Sequence, residues 1–145
     1  MAKKKAKGGA TAARRWTVLV YLAGDNNLDS AGLADLAEMK KVGSGDDLAI
    51  VAQFDRVGGR GVTRRYLLRK GTKLPDDVIA SLGETDMGDP AVLEDFLRFG
   101  GTKYPADNYM VVIWNHGAGW DDTDVYRSAR KALRRNFAYN TLSLA

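Results

Sequence analysis

Tyr109-Met-Val-Val-Ile-Trp-Asn-His-Gly-Ala-Gly-Trp120 decides the fold. Met110 to Trp114 is a short apolar, β-branched run of the kind that forms a strand buried on both faces in a parallel sheet covered by helices. The chain then turns polar and glycine-rich, beginning with its single histidine, His116. In open α/β sheets, ligands bind beyond the carboxyl ends of the strands. An imidazole placed there can exchange a proton near neutral pH. Gly117 and Gly119 leave backbone N–H groups uncluttered. A base followed at once by a bare N–H suits acyl transfer, where one group activates a nucleophile and the other holds the oxyanion. The plainer alternative is a turn whose imidazole bonds a nearby carbonyl.

Working outward, Trp16 to Leu22 and Leu48 to Phe54 read as two more core strands. Between them, a helix runs from a cap at Asp29 or Ser30 to about Lys41, with Leu33, Leu36, Ala37 and Lys40 on one face, the last expected to snorkel to water. Gly43-Ser44-Gly45 stops it. Val62 to Lys70 is expected as a short, exposed, antiparallel strand whose arginines form a solvated face. Lys73 to Gly88 reads as a weakly structured link. Asp89-Pro90 caps and starts a second helix to about Phe99, with Val92, Leu93, Phe96, Leu97 and Phe99 as its apolar face and Gly100-Gly101 as its end. The order predicts an α/β, three-layer sandwich with a mainly parallel sheet. If the first and last strands are parallel, Asp25, Asn26 and Asn27 fall on the same sheet edge as His116 and line a polar pocket. Each taken singly also fits a turn or a helix cap.

Charge is unevenly distributed in this 145-residue chain of net charge +4. Six basic residues lie in 1–15 and five in 127–135, with no acid in either stretch. Between Trp16 and Tyr126 there remain eleven basic against eighteen acidic side chains, a net charge of −7. The domain plan is a disordered basic tail over 1–15, a folded unit over 16–120, and a basic linker or tail over 121–145. No stretch is long and apolar enough to span a membrane. The tail lacks the apolar region of a secretory signal, so the chain as written reads as cytoplasmic, while its location stays open between that and export. The basic ends could attract phosphate, but no aromatic residues interleave with them and the body is acidic, so no nucleic acid is expected as a partner. No phosphate-binding glycine loop follows the first strand. No cofactor is called for. Calcium stays open, because the acids are scattered and form no 12-residue Ca²⁺ loop.

Several segments in fixed order carry a family likeness. They are Trp16-Thr-Val-Leu-Val-Tyr-Leu-Ala-Gly-Asp-Asn-Asn-Leu28, Leu36-Ala-Glu-Met39 and Val51-Ala-Gln-Phe-Asp-Arg56. Glu84-Thr-Asp-Met-Gly-Asp-Pro90 and Tyr104-Pro-Ala-Asp107 follow, leading to Asn115-His-Gly-Ala-Gly-Trp120. Together they resemble the clostripain-type cysteine peptidases, which share the caspase-like fold, over their amino-terminal part. The resemblance implies an endopeptidase cleaving after Arg or Lys with a Cys-His dyad. His116 matches the catalytic histidine, Gly117 the oxyanion-binding residue, and Asp25 with Asn26 a segment near the substrate cleft. The family's nucleophile lies on the next core strand in an Asp-Ala-Cys motif, and this chain has no cysteine. The implied partners are a carboxy-terminal half carrying the thiol, and protein or peptide substrates. The isolated chain is expected to be inactive, and poorly soluble or partly unfolded. A shortened coding sequence, a processed half cut within the basic linker, and a non-catalytic remnant used for protein binding are the alternatives, in that order.

Overall fold

A computed structural model describes residues 14–58 and 62–116. The tail before residue 14, residues 59–61, Gly117 and the basic linker over 121–145 lie outside the described residues.

Three apolar runs form the parallel centre of a sheet: β1 (Arg14–Gly24), β2 (Leu48–Arg56) and β5 (Ala106–Trp114). β3 (Thr63–Leu67) and β4 (Val78–Gly83) add antiparallel to one side, giving the order β4-β3-β2-β1-β5. Side chains alternate across β1. Leu19 and Tyr21 join Ala49, Val51 and the buried face of α2 (Pro90–Lys103), namely Leu93, Phe96 and Leu97. Val20 and Leu22 join Ile50, Ala52, Phe54 and Leu36 of α1 (Asp29–Val42) on the opposite face. Two apolar clusters on opposite sides of one sheet make the three-layer α/β sandwich expected from the sequence. Arg14 and Arg15, counted above with the basic tail, are the first residues of β1.

Asp89 caps α2 by accepting the Ala91 N–H at 2.8 Å, with Pro90 in the first turn. Gly100-Gly101 does not end this helix, which continues to Lys103. Gly100 faces β1, and a Cβ there would lie 2.4 Å from Leu19 Cδ2. The glycine thus permits close approach of helix and sheet rather than termination. α1 is flanked by Leu28, with no side-chain cap; Asp29 is its first residue and receives both Arg56 Nε and Nη2 at 2.9 Å. Its buried positions are Gly32 and Leu36, while Ala37 is exposed. Gly43 ends it at φ 73°, as expected. The Lys40 side chain is only 12% exposed, and its amine is turned to protein partners. It meets the Asp77 carboxylate, which also accepts from Thr72 Oγ1 (2.7 Å), Arg69 Nε (2.9 Å) and Arg69 N (3.1 Å).

Two expectations are corrected by β3 and β4. β3 is antiparallel, but it is an inner strand with Thr63, Arg65 and Tyr66 buried. Arg65 is 5% exposed, donates Nε to Gln53 Oε1 at 2.8 Å, pairs with Asp95, and lies 4.5 Å over the Phe99 ring. These non-local partners, not solvent, satisfy its charge. Lys73 to Gly88 holds a short 3-10 turn over Leu74–Asp77 followed by β4, so it is not merely a link. The last strand also departs from the expectation of burial on both faces. Tyr109, Val111 and Ile113 pack on the α2 side, but Met110 (50% exposed) and Val112 (37%) look outward on the α1 side. Among the described residues β5 is the sheet edge; on that face Trp114 packs against the α1-side cluster, while Met110 and Val112 are left open.

Candidate functional site

β1 and β5 run parallel with Leu22 in register with Trp114, and β2 is in register on the other side, Ala23 opposite Asp55. The chain therefore leaves three adjacent strands at one edge, where the sequence placed the site. His116 is exposed, one residue past Asn115 and two past the end of β5. It is not absorbed into the core.

The loop after β1 is organised by Asn26. Its Nδ2 donates to the Ala23 carbonyl at 3.0 Å and to Asn115 Oδ1 at 3.4 Å, and its Oδ1 accepts the Leu28 N–H at 2.8 Å. Asn115 Oδ1 also accepts the His116 N–H at 2.7 Å. The next residue, Asn27, places Oδ1 2.7 Å from His116 Nε2. The two strand ends are thus joined by side chains at consecutive positions.

Beside this junction is a cavity of about 330 Å³, walled by Asp25, Asn26, Asp55, Glu84, Asp86 and Asn115 among others. Asp25, Asp55 and Glu84 converge so that one carboxylate oxygen of each lies within 4.8 Å of the others. Such a triad has the donor chemistry to share a hard cation or a basic group. Burial pushes the Asp55 carboxyl above its ordinary range; a hydrogen bond from Thr63 opposes this and the Asp25 charge reinforces it. Tyr21 donates its hydroxyl at 3.1 Å to the carbonyl of Met87, which lines the cavity. Its titration is pushed well upward, mainly by burial, with Asp86, Asp89 and Asp55 adding to the effect.

The model of the clostripain family matches residues 20–142. The chain belongs to the clostripain family. Clostripain from Hathewaya histolytica is 31% identical over 144 residues, a match that takes in 75% of this chain and 27% of that protein. The chain therefore spans about a quarter of that relative's length. Among solved structures, a B. fragilis cysteine protease is 25% identical with a TM-score of 0.62, over 76% of this chain and 95% of that one. A secreted C11 cysteine protease from Bacteroides thetaiotaomicron, in complex with an irreversible peptide inhibitor, is 34% identical with a TM-score of 0.60, over 74% of this chain and 31% of that one. The architecture is thus the caspase-like α/β fold of clostripain-family proteases.

Within this clostripain-family chain, the structure brings His116, Asp25 and Asn26 to one edge, and Gly117 lies outside the described residues. Asp55 and Glu84 join them without having been singled out from sequence. Asp55 was signalled by its position at the end of a buried run and by its place in the family segment Val51 to Arg56. Glu84 opens the family segment Glu84 to Pro90, but nothing placed it beside Asp25 because β4 was not recognised. No helix among the described residues is long and apolar enough to cross a membrane.

Proposed function

We propose that this chain supplies the histidine half of a cysteine endopeptidase that cleaves after Arg or Lys, the thiol coming from a strand that adds alongside β5. The observation that carries this reading is an exposed imidazole at the carboxyl end of an edge strand. A chain without cysteine has no thiolate of its own, so alone it is inactive. A thiol on the added strand would give its proton to His116. The thiolate would attack the scissile carbonyl, the Gly117 N–H would hold the oxyanion, and the imidazolium would return the proton to the leaving amine. The match over 95% of one protease chain, against 31% of another, supports a role as one of two associated polypeptides. Asp25, with buried Asp55 and exposed Glu84 beside it, gives the cavity the sign that attracts a basic side chain. Asn26 shapes that wall through its hydrogen bonds. The test is to combine the chain with a family polypeptide carrying the Asp-Ala-Cys strand and to assay substrates ending in Arg, Lys or an uncharged residue. Cleavage after Arg and Lys supports the proposal; cleavage that survives His116→Ala contradicts it.

A further inference from the structure

We propose that Asn27 is a positioning residue for His116, setting which ring nitrogen carries the proton; this rests on reading His116 as the base of the dyad. The Asn27 Oδ1 atom lies 2.7 Å from Nε2. A carbonyl oxygen only accepts, so Nε2 must carry the hydrogen of this bond. In the neutral imidazole Nδ1 is then bare, and Nδ1 is the atom left to take a proton. The bond also persists in the imidazolium, where both nitrogens carry hydrogen. One contact therefore serves the ring in both states, as expected of a group that orients a general base.

Both residues are exposed, so water competes with the bond. What holds it is the loop. Asn26 is fixed at Ala23, Leu28 and Asn115, and the backbone adds Asn26 N to the Gly24 carbonyl at 2.7 Å and Asp29 N to the Asn26 carbonyl at 3.2 Å. Asn115 in turn grips the His116 N–H. Asn27 is consequently presented to the ring from a braced turn, at one fixed offset from a strand in register with β5. The sequence distance is large, and only the parallel pairing of β1 with β5 brings the amide and the imidazole together. A residue that merely shaped the turn would use the backbone-directed bonds that Asn26 already makes.

The experiment exploits the single histidine. In the uniformly ¹⁵N-labelled chain, long-range ¹H–¹⁵N spectra above the imidazole midpoint report the tautomer of one ring without ambiguity. The expected result is a single Nε2–H form in the parent and in Asn27→Asp, which keeps an acceptor oxygen, and a mixture of both tautomers in Asn27→Leu. An Nδ1–H form in the parent, or an Asn27→Leu spectrum identical to the parent's, overturns the proposal. If Asn27→Leu does not fold, Asn27→Asp decides by its midpoint. A carboxylate against Nε2–H raises it by about one unit. Asp25 on the same loop, and Asp55, Glu84 and Asp86 across the cavity, are common to both chains and cancel in that comparison. An unchanged midpoint overturns the proposal. Because these spectra need no thiol, they can fail while complementation succeeds, or succeed while it fails.

Discussion

Replacing Asp77 tests whether α1 is tied to the far edge of the sheet by one buried anion. The Asp77 side chain is fully buried and Lys40's is 12% exposed, whereas Arg69's is 47% exposed. Asp77→Ala removes the acceptor for the Lys40 amine, the Thr72 hydroxyl and two Arg69 groups. Breaking a buried pair costs about 3–5 kcal/mol. Arg69 can turn to water, and Lys40 keeps the Arg69 carbonyl and Thr72 Oγ1 at 2.9 Å, so the lower end applies, about 3 kcal/mol. Asp77→Asn retains an acceptor and loses the charge, costing about 1.5–2 kcal/mol. The pH dependence has a definite sign. Burial pushes this carboxyl up, but hydrogen bonds from Lys40, Thr72 and Arg69 outweigh it and hold it below the usual range. The unfolded chain therefore binds more protons, so the stabilisation is complete above the ordinary carboxylate range and is lost as pH falls through and below it. Urea unfolding followed by tryptophan fluorescence, with Trp16 and Trp114 on β1 and β5, measures the effect. At pH 7 the Asp77→Ala midpoint should fall by roughly 2 M, given slopes of about 1–3 kcal/mol/M. The gap between parent and Asp77→Asn should narrow below about pH 4. A midpoint shift under about 0.5 M, or a gap that widens in acid, refutes the reasoning.

Other outcomes follow from individual contacts. Gly100→Ala gains about 1 kcal/mol of helix propensity but drives a methyl into buried Leu19, an overpacking cost of about 1–3 kcal/mol; the melting temperature should fall by several degrees, and a rise would show that Leu19 can yield. Asp55 has the opposite sign to Asp77: its raised carboxyl makes it destabilising once ionised, so Asp55→Asn should add about 0.5–1 kcal/mol at pH 7, a gain that fades as pH falls toward the ordinary carboxylate range and is gone below it, as thermal melts across that range would show. Met110→Lys with Val112→Lys places charge on the outward face of the edge strand and should reduce self-association in sedimentation velocity; equal association of parent and variant would mean that this face is not the contact.

β1 and β2 were legible because burial on both faces writes an unbroken apolar run, as in Leu48 to Phe54, and β5 writes a similar run although one of its faces is open. Helix α2 was legible through Asp89-Pro90 and its apolar spacing. β4 was not. Its residues alternate between half-buried and exposed, and Ile79 and Ser81 on the open face blur the period. Arg65 was misjudged because Gln53, Asp95 and Phe99, which make its burial tolerable, are distant in sequence. Lys40 was placed on the correct side of α1, but its partner Asp77 sits in a segment read as a link. At the site, strand ends predicted that the Asp25 loop and His116 would meet. They could not predict that Asn26 would be consumed in bracing the turn while Asn27 reached the ring, since one position of register separates the two roles. Nor could they predict the meeting of Asp25, Asp55 and Glu84, which depends on the strand order.

The central claim is that His116 serves as the base for a thiol borne by another stretch of polypeptide. The most direct measurement is cleavage of an Arg-ending reporter peptide by this chain combined with a family segment carrying the Asp-Ala-Cys strand. Activity that appears only on combination and disappears with His116→Ala is the predicted result. Equal activity of the cysteine segment with and without this chain would contradict the claim.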